Sequence, residues 1–170
     1  MDNEEKMRIT IEEARKSLVN KEFPVGAVIF LGDEIISRTH SSGESKLEFL
    51  LHAEMAALLE ADTQHHLPSE RKKMQLFTTL EPCMMCLGAA MSFFIGEIYY
   101  ALEAPIDGAV DFAEQFWREN QEEIPNYSLP AIHRGLLKSE SQDLLREYIS
   151  LVPDGPLVEF SKTLIELESL

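Results

Sequence analysis

The residues of this chain whose types and spacing could do chemistry are His52-Ala53-Glu54 and, 28 positions after Glu54, Pro82-Cys83-Met84-Met85-Cys86. Cysteines at i and i+3 put both sulfurs on one face of a helix. In a first turn they feel the positive end of the helix dipole, which favours thiolate over thiol. Neutral His52, at the opening of a second helix, adds a third ligand. Three protein ligands leave the fourth position of a tetrahedral zinc ion for water, the arrangement of a catalytic site. Zinc lowers the pKa of such a water to about 7, so hydroxide is available at neutral pH. Glu54 is two residues from His52, so a regular helix does not aim both at the metal. It reads instead as a general acid/base, taking the water's proton and returning it to a leaving group. A carboxylate suits that shuttle once a dry cleft raises its pKa.

Other uses of the same residues have different requirements. A C-x-x-C pair alone also fits a thioredoxin-like redox site, but that motif has no upstream H-x-E partner. A closed structural zinc site needs a fourth ligand, and the chain has no third cysteine. His65-His66 and His133 are the available nitrogens. The first two lie in a polar loop, where solvated side chains are the simpler account. Both halves of an H-x-E…P-C-x-x-C signature together point to a zinc hydrolase acting on the exocyclic amine of a heteroaromatic ring.

These residues need a frame that brings two helix openings together. Thr10-x-x-Glu13 has the form of a capping box, and Ile11, Ala14 and Leu18 follow at helical spacing, giving a first helix over 10–20. Pro24–Leu31 is an apolar, β-branched run. With Gly32-Asp33 and Glu34-Ile35-Ile36-Ser37 it reads as a hairpin. Further helices are expected over His52–Ala61 and Cys83–Phe94, and strands over Gln75–Thr79 and Glu97–Leu102. Beyond these, the pattern gives a helix near 111–119, a strand within 128–137, and helices near 140–150 and 158–168. Alternating strands and helices after a hairpin define an α/β domain with a mixed sheet. At 170 residues with no linker, one domain over 1–170 is expected.

The charge limits the partners. Thirty Asp+Glu against 15 Lys+Arg give a formal net charge of −15, which disfavours a surface built to neutralise phosphates or to dock on anionic membranes. The longest weakly polar stretch, Leu87–Ile95, is too short to span a bilayer, which takes about 20 residues. The opening Met1–Glu5 has no secretory pattern, and a cytoplasmic location is expected.

With these motifs in place, the chain resembles the cytidine and deoxycytidylate deaminase superfamily, in the branch that holds tRNA adenosine deaminase and guanine deaminase. The resemblance is carried by Phe23-Pro24-Val25-Gly26-Ala27-Val28, His52-Ala53-Glu54, Thr79-Leu80-Glu81-Pro82-Cys83-Met84-Met85-Cys86 with Gly88-Ala89, and more loosely Ile95-Gly96. It implies a three-layer α/β/α fold around a five-stranded mixed sheet, Zn2+ as cofactor, and assembly as a homodimer. It also implies substrate contacts from the Ala53 backbone N–H and from Glu103, just after the strand 97–102. Relatives commonly carry T-H-N after the hairpin, where this chain has Thr39-His40-Ser41. Ser41 or His40 therefore stands in for a substrate-binding amide, and a hydroxyl cannot reproduce an amide's separate donor and acceptor. Phe49-Leu50-Leu51 replaces the family's Pro-Thr-Ala.

Two substrate classes follow. Gly135-Leu136-Leu137-Lys138 and Ser141–Ile149 resemble the tail of tRNA adenosine deaminases. However, residues 101–170 hold 14 Asp+Glu and 5 Lys+Arg, and Arg71-Lys72-Lys73 is the only dense basic cluster. That balance favours a free purine-type base or nucleoside over tRNA. Phe112, Phe116 and Trp117 could stack on a base, although the i,i+4 spacing of the two Phe favours core packing. A catalytically inactive scaffolding partner of an active deaminase is a third possibility, opposed by the presence of Glu54.

Overall fold

The computed structural model describes residues 1–44, 46–120 and 127–167. Helix α1 (Asn3–Arg15) runs into a 3-10 turn (Lys16–Asn20), followed by strands β1 (Gly26–Leu31) and β2 (Glu34–His40). Then come α2 (Ala53–Asp62), a single turn α3 (Pro68–Arg71), β3 (Met74–Leu80), α4 (Met84–Phe93) and β4 (Glu97–Leu102). The chain continues through α5 (Val110–Asn120), β5 (Ala131–His133), α6 (Lys138–Leu151) and α7 (Pro156–Ile165).

The sheet order is β2-β1-β3-β4-β5. β1 is antiparallel to β2 and β3, while β3, β4 and β5 are mutually parallel, so the sheet is mixed as expected. Gly32, at φ +62°, makes the hairpin turn. α1 and α6 cover one face of the sheet, and α2 and α4 cover the other. This is the three-layer α/β/α architecture. Both faces of β1 and β3 are therefore buried, with Ala27 through Phe30, Leu76 and Phe77 fully enclosed. Their near-continuous apolar runs reflect two covered faces. No helix among the described residues is long and apolar enough to cross a membrane.

The first helix begins earlier than expected. Its capping box is Asp2 with Glu5: the Glu5 N–H donates to Asp2 Oδ1 and the Asp2 N–H to Glu5 Oε2, both at 2.8 Å. Thr10 lies mid-helix and donates to the Lys6 carbonyl (3.0 Å). Glu13, buried, accepts from Lys16 and Arg38 at 2.7 Å and meets His40 Nδ1 at 2.9 Å. Burial alone would raise this carboxyl, but the hydrogen bonds from Lys16, His40 and Arg38 outweigh it and hold it down to about 2. Its stabilising contribution is thus complete above the ordinary value of 4.5 and disappears as pH falls toward 2. Tm measured across this range is expected to fall more steeply in the wild type than in Glu13→Gln.

Gly26 opens β1 where α1 crosses the sheet. A Cβ there would lie 2.4 Å from the Thr10 carbonyl oxygen and 2.6 Å from the Ala14 nitrogen, both backbone atoms that cannot swing away. Gly26→Ala is expected to cost about 3 kcal/mol in urea unfolding, by separating α1 from the strand whose far side carries α2.

The α7 helix ends at Ile165, short of the expected 168; Glu168 lies outside the described residues.

Candidate active site

Two helix openings meet where β3 ends. His52 is the N-cap residue of α2, and Cys83 is the N-cap of α4, with Cys86 one turn in. Neither residue makes a side-chain capping hydrogen bond, and the two side chains face each other. The His52 Nδ1 atom lies 3.6 Å from Cys83 Sγ and 3.5 Å from Cys86 Sγ, and the two sulfurs are 3.6 Å apart. Zn–S bonds of about 2.3 Å and Zn–N bonds of about 2.05 Å at tetrahedral angles require S···N edges of about 3.6 Å and an S···S edge of about 3.8 Å. The three donor atoms thus already form one face of a zinc tetrahedron. Among the described residues they are the one His/Cys/Asp/Glu group placed to hold a metal ion.

The candidate fourth ligands of a closed site lie elsewhere. His66 is beside Glu70, and His133 stacks on Tyr99 with centroids 4.1 Å apart and pairs with Glu97. The open fourth position favours the catalytic reading of the motif.

Electrostatics agree. Hydrogen bonding from Cys86 and His52 draws the Cys83 thiol far below its ordinary range, to about 3. Cys86 is displaced upward by its bond to that thiolate, with burial adding to the shift. The Cys83 thiolate also raises His52. Two helix dipoles converging on the site favour the thiolate charge.

Glu54, one residue inside α2, is 4% exposed. Its carboxylate accepts from Thr78 Oγ1 (3.3 Å) and from the Cys86 thiol (3.7 Å). Burial pushes it up to about 7, where it can both accept and donate a proton near neutrality.

His52, Cys83 and Glu54 sit against a cavity of about 410 Å³, which also touches Ala53 and Ser41. Ala53 is the first residue of α2, so its N–H has no acceptor within the helix. Its carbonyl is tied to Thr39 Oγ1 at 2.6 Å, fixing β2 to the helix opening. Of the pair at the expected amide position, Ser41 lines the cavity, while His40 turns away to Glu13.

Glu103 is not brought to this cavity. It is held 2.9 Å from Lys138 Nζ, an ion pair that joins the end of β4 to α6. The aromatic residues of α5 are not brought there either. Phe112 and Trp117 line a separate groove of about 400 Å³ with Met84, Leu87 and Met91. Phe112 is 62% exposed, so the core packing expected from its spacing fails.

Several cavity residues had no clear signal in the sequence. Asp107 lines the site from the β4–α5 loop. That loop is fastened by half-buried Glu81, which accepts from the Ala104 and Val110 N–H groups at 3.0 Å. Glu22, Glu44 and Glu48 add carboxylates, and Leu157 and Phe160 reach in from α7. Glu44 and Glu48 could have been found as acids in the segment leading to His52; α7 had no signal pointing to the site.

Fold and geometry converge on one class, and the chain belongs to it. The cytidine and deoxycytidylate deaminase zinc-binding region matches residues 1–102, and the protein is a zinc aminohydrolase of that family. Its curated relatives include the tRNA-specific adenosine deaminase of Agrobacterium fabrum, 32% identical over 146 residues, covering 84% of this chain and 90% of that protein. The tRNA-specific adenosine deaminase of Streptococcus pyogenes serotype M1 is 33% identical over 142 residues, covering 84% and 80%. A solved structure from a study of tRNA:A34 deaminases and wobble-position A-to-I editing aligns with TM-score 0.69 at 30% identity, covering 81% of this chain and 96% of that one. The guanine deaminase of Nitrosomonas europaea aligns with TM-score 0.68 at 23% identity, covering 88% and 85%; at that identity it bears on the fold alone.

Proposed function

We propose that this protein hydrolyses the exocyclic amine of a purine-type nucleobase or nucleoside, releasing ammonia. In this reading His52, Cys83 and Cys86 hold zinc, and Glu54 moves the protons. Zinc held by these three residues would supply an acidified water and a Lewis acid. Glu54 takes one proton from the water and delivers it to the ring nitrogen next to the attacked carbon. It then carries the second proton, from the new hydroxyl, to the departing amine. The C–N bond breaks, the water oxygen stays as the ring carbonyl, and the nitrogen leaves as ammonia. Thr78 holds the Glu54 carboxylate in line. The Ala53 N–H and Ser41 hydroxyl are the proposed polar contacts to the ring, with Glu103 assigned instead to its ion pair with Lys138.

The observation that carries the choice of substrate is the character of the cavity. Its volume is in the range of small-molecule sites, and its described lining holds Glu22, Glu44, Glu48 and Asp107 but no Lys or Arg. A phosphate-bearing substrate would meet like charge there.

The second reading, deamination of adenosine in tRNA, rests on the curated relatives. The two are separated by measuring kcat/KM on guanine, adenine and their nucleosides beside a tRNA anticodon stem-loop. Higher kcat/KM on a free base or nucleoside supports the first reading, and turnover of the stem-loop alone supports the second. An inactive scaffolding role is opposed by the assembled Glu54–Thr78 pair.

A second copy of the chain is the proposed partner for the apolar α4–α5 groove, where Met84 and Phe112 are 58% and 62% exposed. Light scattering should then give a dimer mass. A cytoplasmic setting is proposed because the site needs Cys83 and Cys86 reduced.

A further inference from the structure

The last helix has no place in the chemistry, yet it forms part of the cavity. Leu157 and Phe160 of α7 line the same space as His52 and Glu54. The helix is firmly seated: Val158, Ser161 and Leu164 are buried against the body of the protein. Gln142 of α6 donates its side-chain amide to the carbonyls of Leu164, Ile165 and Leu167 at 3.1–3.2 Å. Those carbonyls lie at and just beyond the end of α7, where backbone acceptors lack helical partners. A buried amide satisfying them fixes where the helix stops. An aromatic run then continues the seat into the cavity wall. Phe23 packs edge-on against Tyr148 of α6 at 5.7 Å between centroids, and its ring lies tilted by 34° to that of Phe160 at 5.8 Å. Phe23 itself lines the cavity.

We propose that α7 is the specificity wall of this site, with Phe160 as the residue that selects a free base or nucleoside over a base held in a polynucleotide. This rests on the deaminase reading of the site given above. A base within a chain brings phosphates on both sides. Phe160 and Leu157 wall the cavity that would receive the reacting ring, and Glu44 and Glu48 line the same cavity with charge of the phosphates' own sign. A small heterocycle presents a flat apolar face to Phe160 and gains from that contact. Gln142 is a positioning residue, acting only through the placement of α7.

The test uses the full-length, zinc-loaded protein with Phe160→Ala, Phe160→Leu and Phe160→Trp. Turnover is measured on guanine, adenine, guanosine, adenosine and a tRNA anticodon stem-loop. Equilibrium binding of the same compounds is measured in a Glu54→Gln background. Phe160→Ala is expected to raise KM and Kd for the free base and nucleoside about tenfold, as for loss of one base–aromatic contact, with kcat within about threefold of wild type. Preference for nucleoside over stem-loop should shrink by a similar factor, and Phe160→Leu should restore most of it. Phe160→Trp, which narrows the space, should penalise nucleoside more than base.

A folded Phe160→Ala protein with unchanged KM and unchanged preference overturns the proposal. If that variant does not fold, an unchanged nucleoside-to-base ratio in Phe160→Trp does the same. Binding that follows Phe160 in the absence of any ammonia release sinks the deaminase reading and keeps the wall. Absence of both binding and turnover of every purine in the parent overturns both.

Discussion

Glu54→Gln is expected to keep fold and zinc while losing kcat by about 1,000-fold or more, at the upper part of the range for removing a general acid/base. The amide preserves the shape of the side chain and can still face Thr78 Oγ1, now 3.3 Å from the carboxylate. It cannot take a proton from water or return one to the leaving nitrogen. The expected effect is large because in the proposed mechanism one carboxyl performs both transfers, so its loss impairs bond formation and bond cleavage together. Burial raises this carboxyl to about 7, which suits the accepting and donating role proposed for it. Zinc analysis and Tm on the same sample separate loss of chemistry from loss of structure. Undiminished turnover in a zinc-loaded Glu54→Gln protein would remove Glu54 from the mechanism.

Cys83→Ala is expected to abolish both metal and activity. The tetrahedral face of His52 Nδ1 and two sulfurs has edges of 3.5–3.6 Å, so removing one corner leaves two donors that cannot define a zinc site. Even loss of an outer-shell partner typically weakens zinc binding about 10–100-fold; loss of a direct ligand should exceed that. Zinc content after dialysis should fall from near one ion per chain to near zero, with ammonia release below detection. Cys83 is the N-cap of α4 without capping through its side chain, so the helix is expected to survive, visible as an unchanged far-ultraviolet spectrum. Full zinc content in this variant would show that Cys83 is not a ligand.

The parts of the protein legible in its sequence are those in which local chemistry and global position coincide. His52 and Cys83 are helix N-caps, so the metal motif and the helix boundaries are read from the same residues. The hairpin around Gly32-Asp33 and the strand Glu97–Leu102 were similarly local, fixed by a turn glycine and an apolar run between charges. Thr10-x-x-Glu13 misled because its pattern matches a cap, yet it lies inside a helix already started by Asp2 and Glu5. Glu13 is instead recruited by Arg38 and His40, which arrive from a distant strand. Glu103 failed in the same way: its position after β4 suggested the cavity, but Lys138, 35 residues later, holds its carboxylate. Phe160 was invisible because nothing near it in the sequence refers to the site. Only packing of α7 on α6, through Gln142, brings it there. The −15 net charge is an average over the chain, and a sum over the sequence does not say that Glu22, Glu44, Glu48 and Asp107 line one cavity.

The most direct test of hydrolytic deamination of a free purine is to incubate the zinc-loaded protein with guanine, adenine and their nucleosides in heavy-oxygen water. Ammonia is quantified and the product weighed by mass spectrometry. The predicted result is ammonia released in equal amount to a product whose new ring carbonyl carries one oxygen from the solvent. No ammonia from any of these compounds, or ammonia only when a tRNA anticodon stem-loop is supplied, would contradict it.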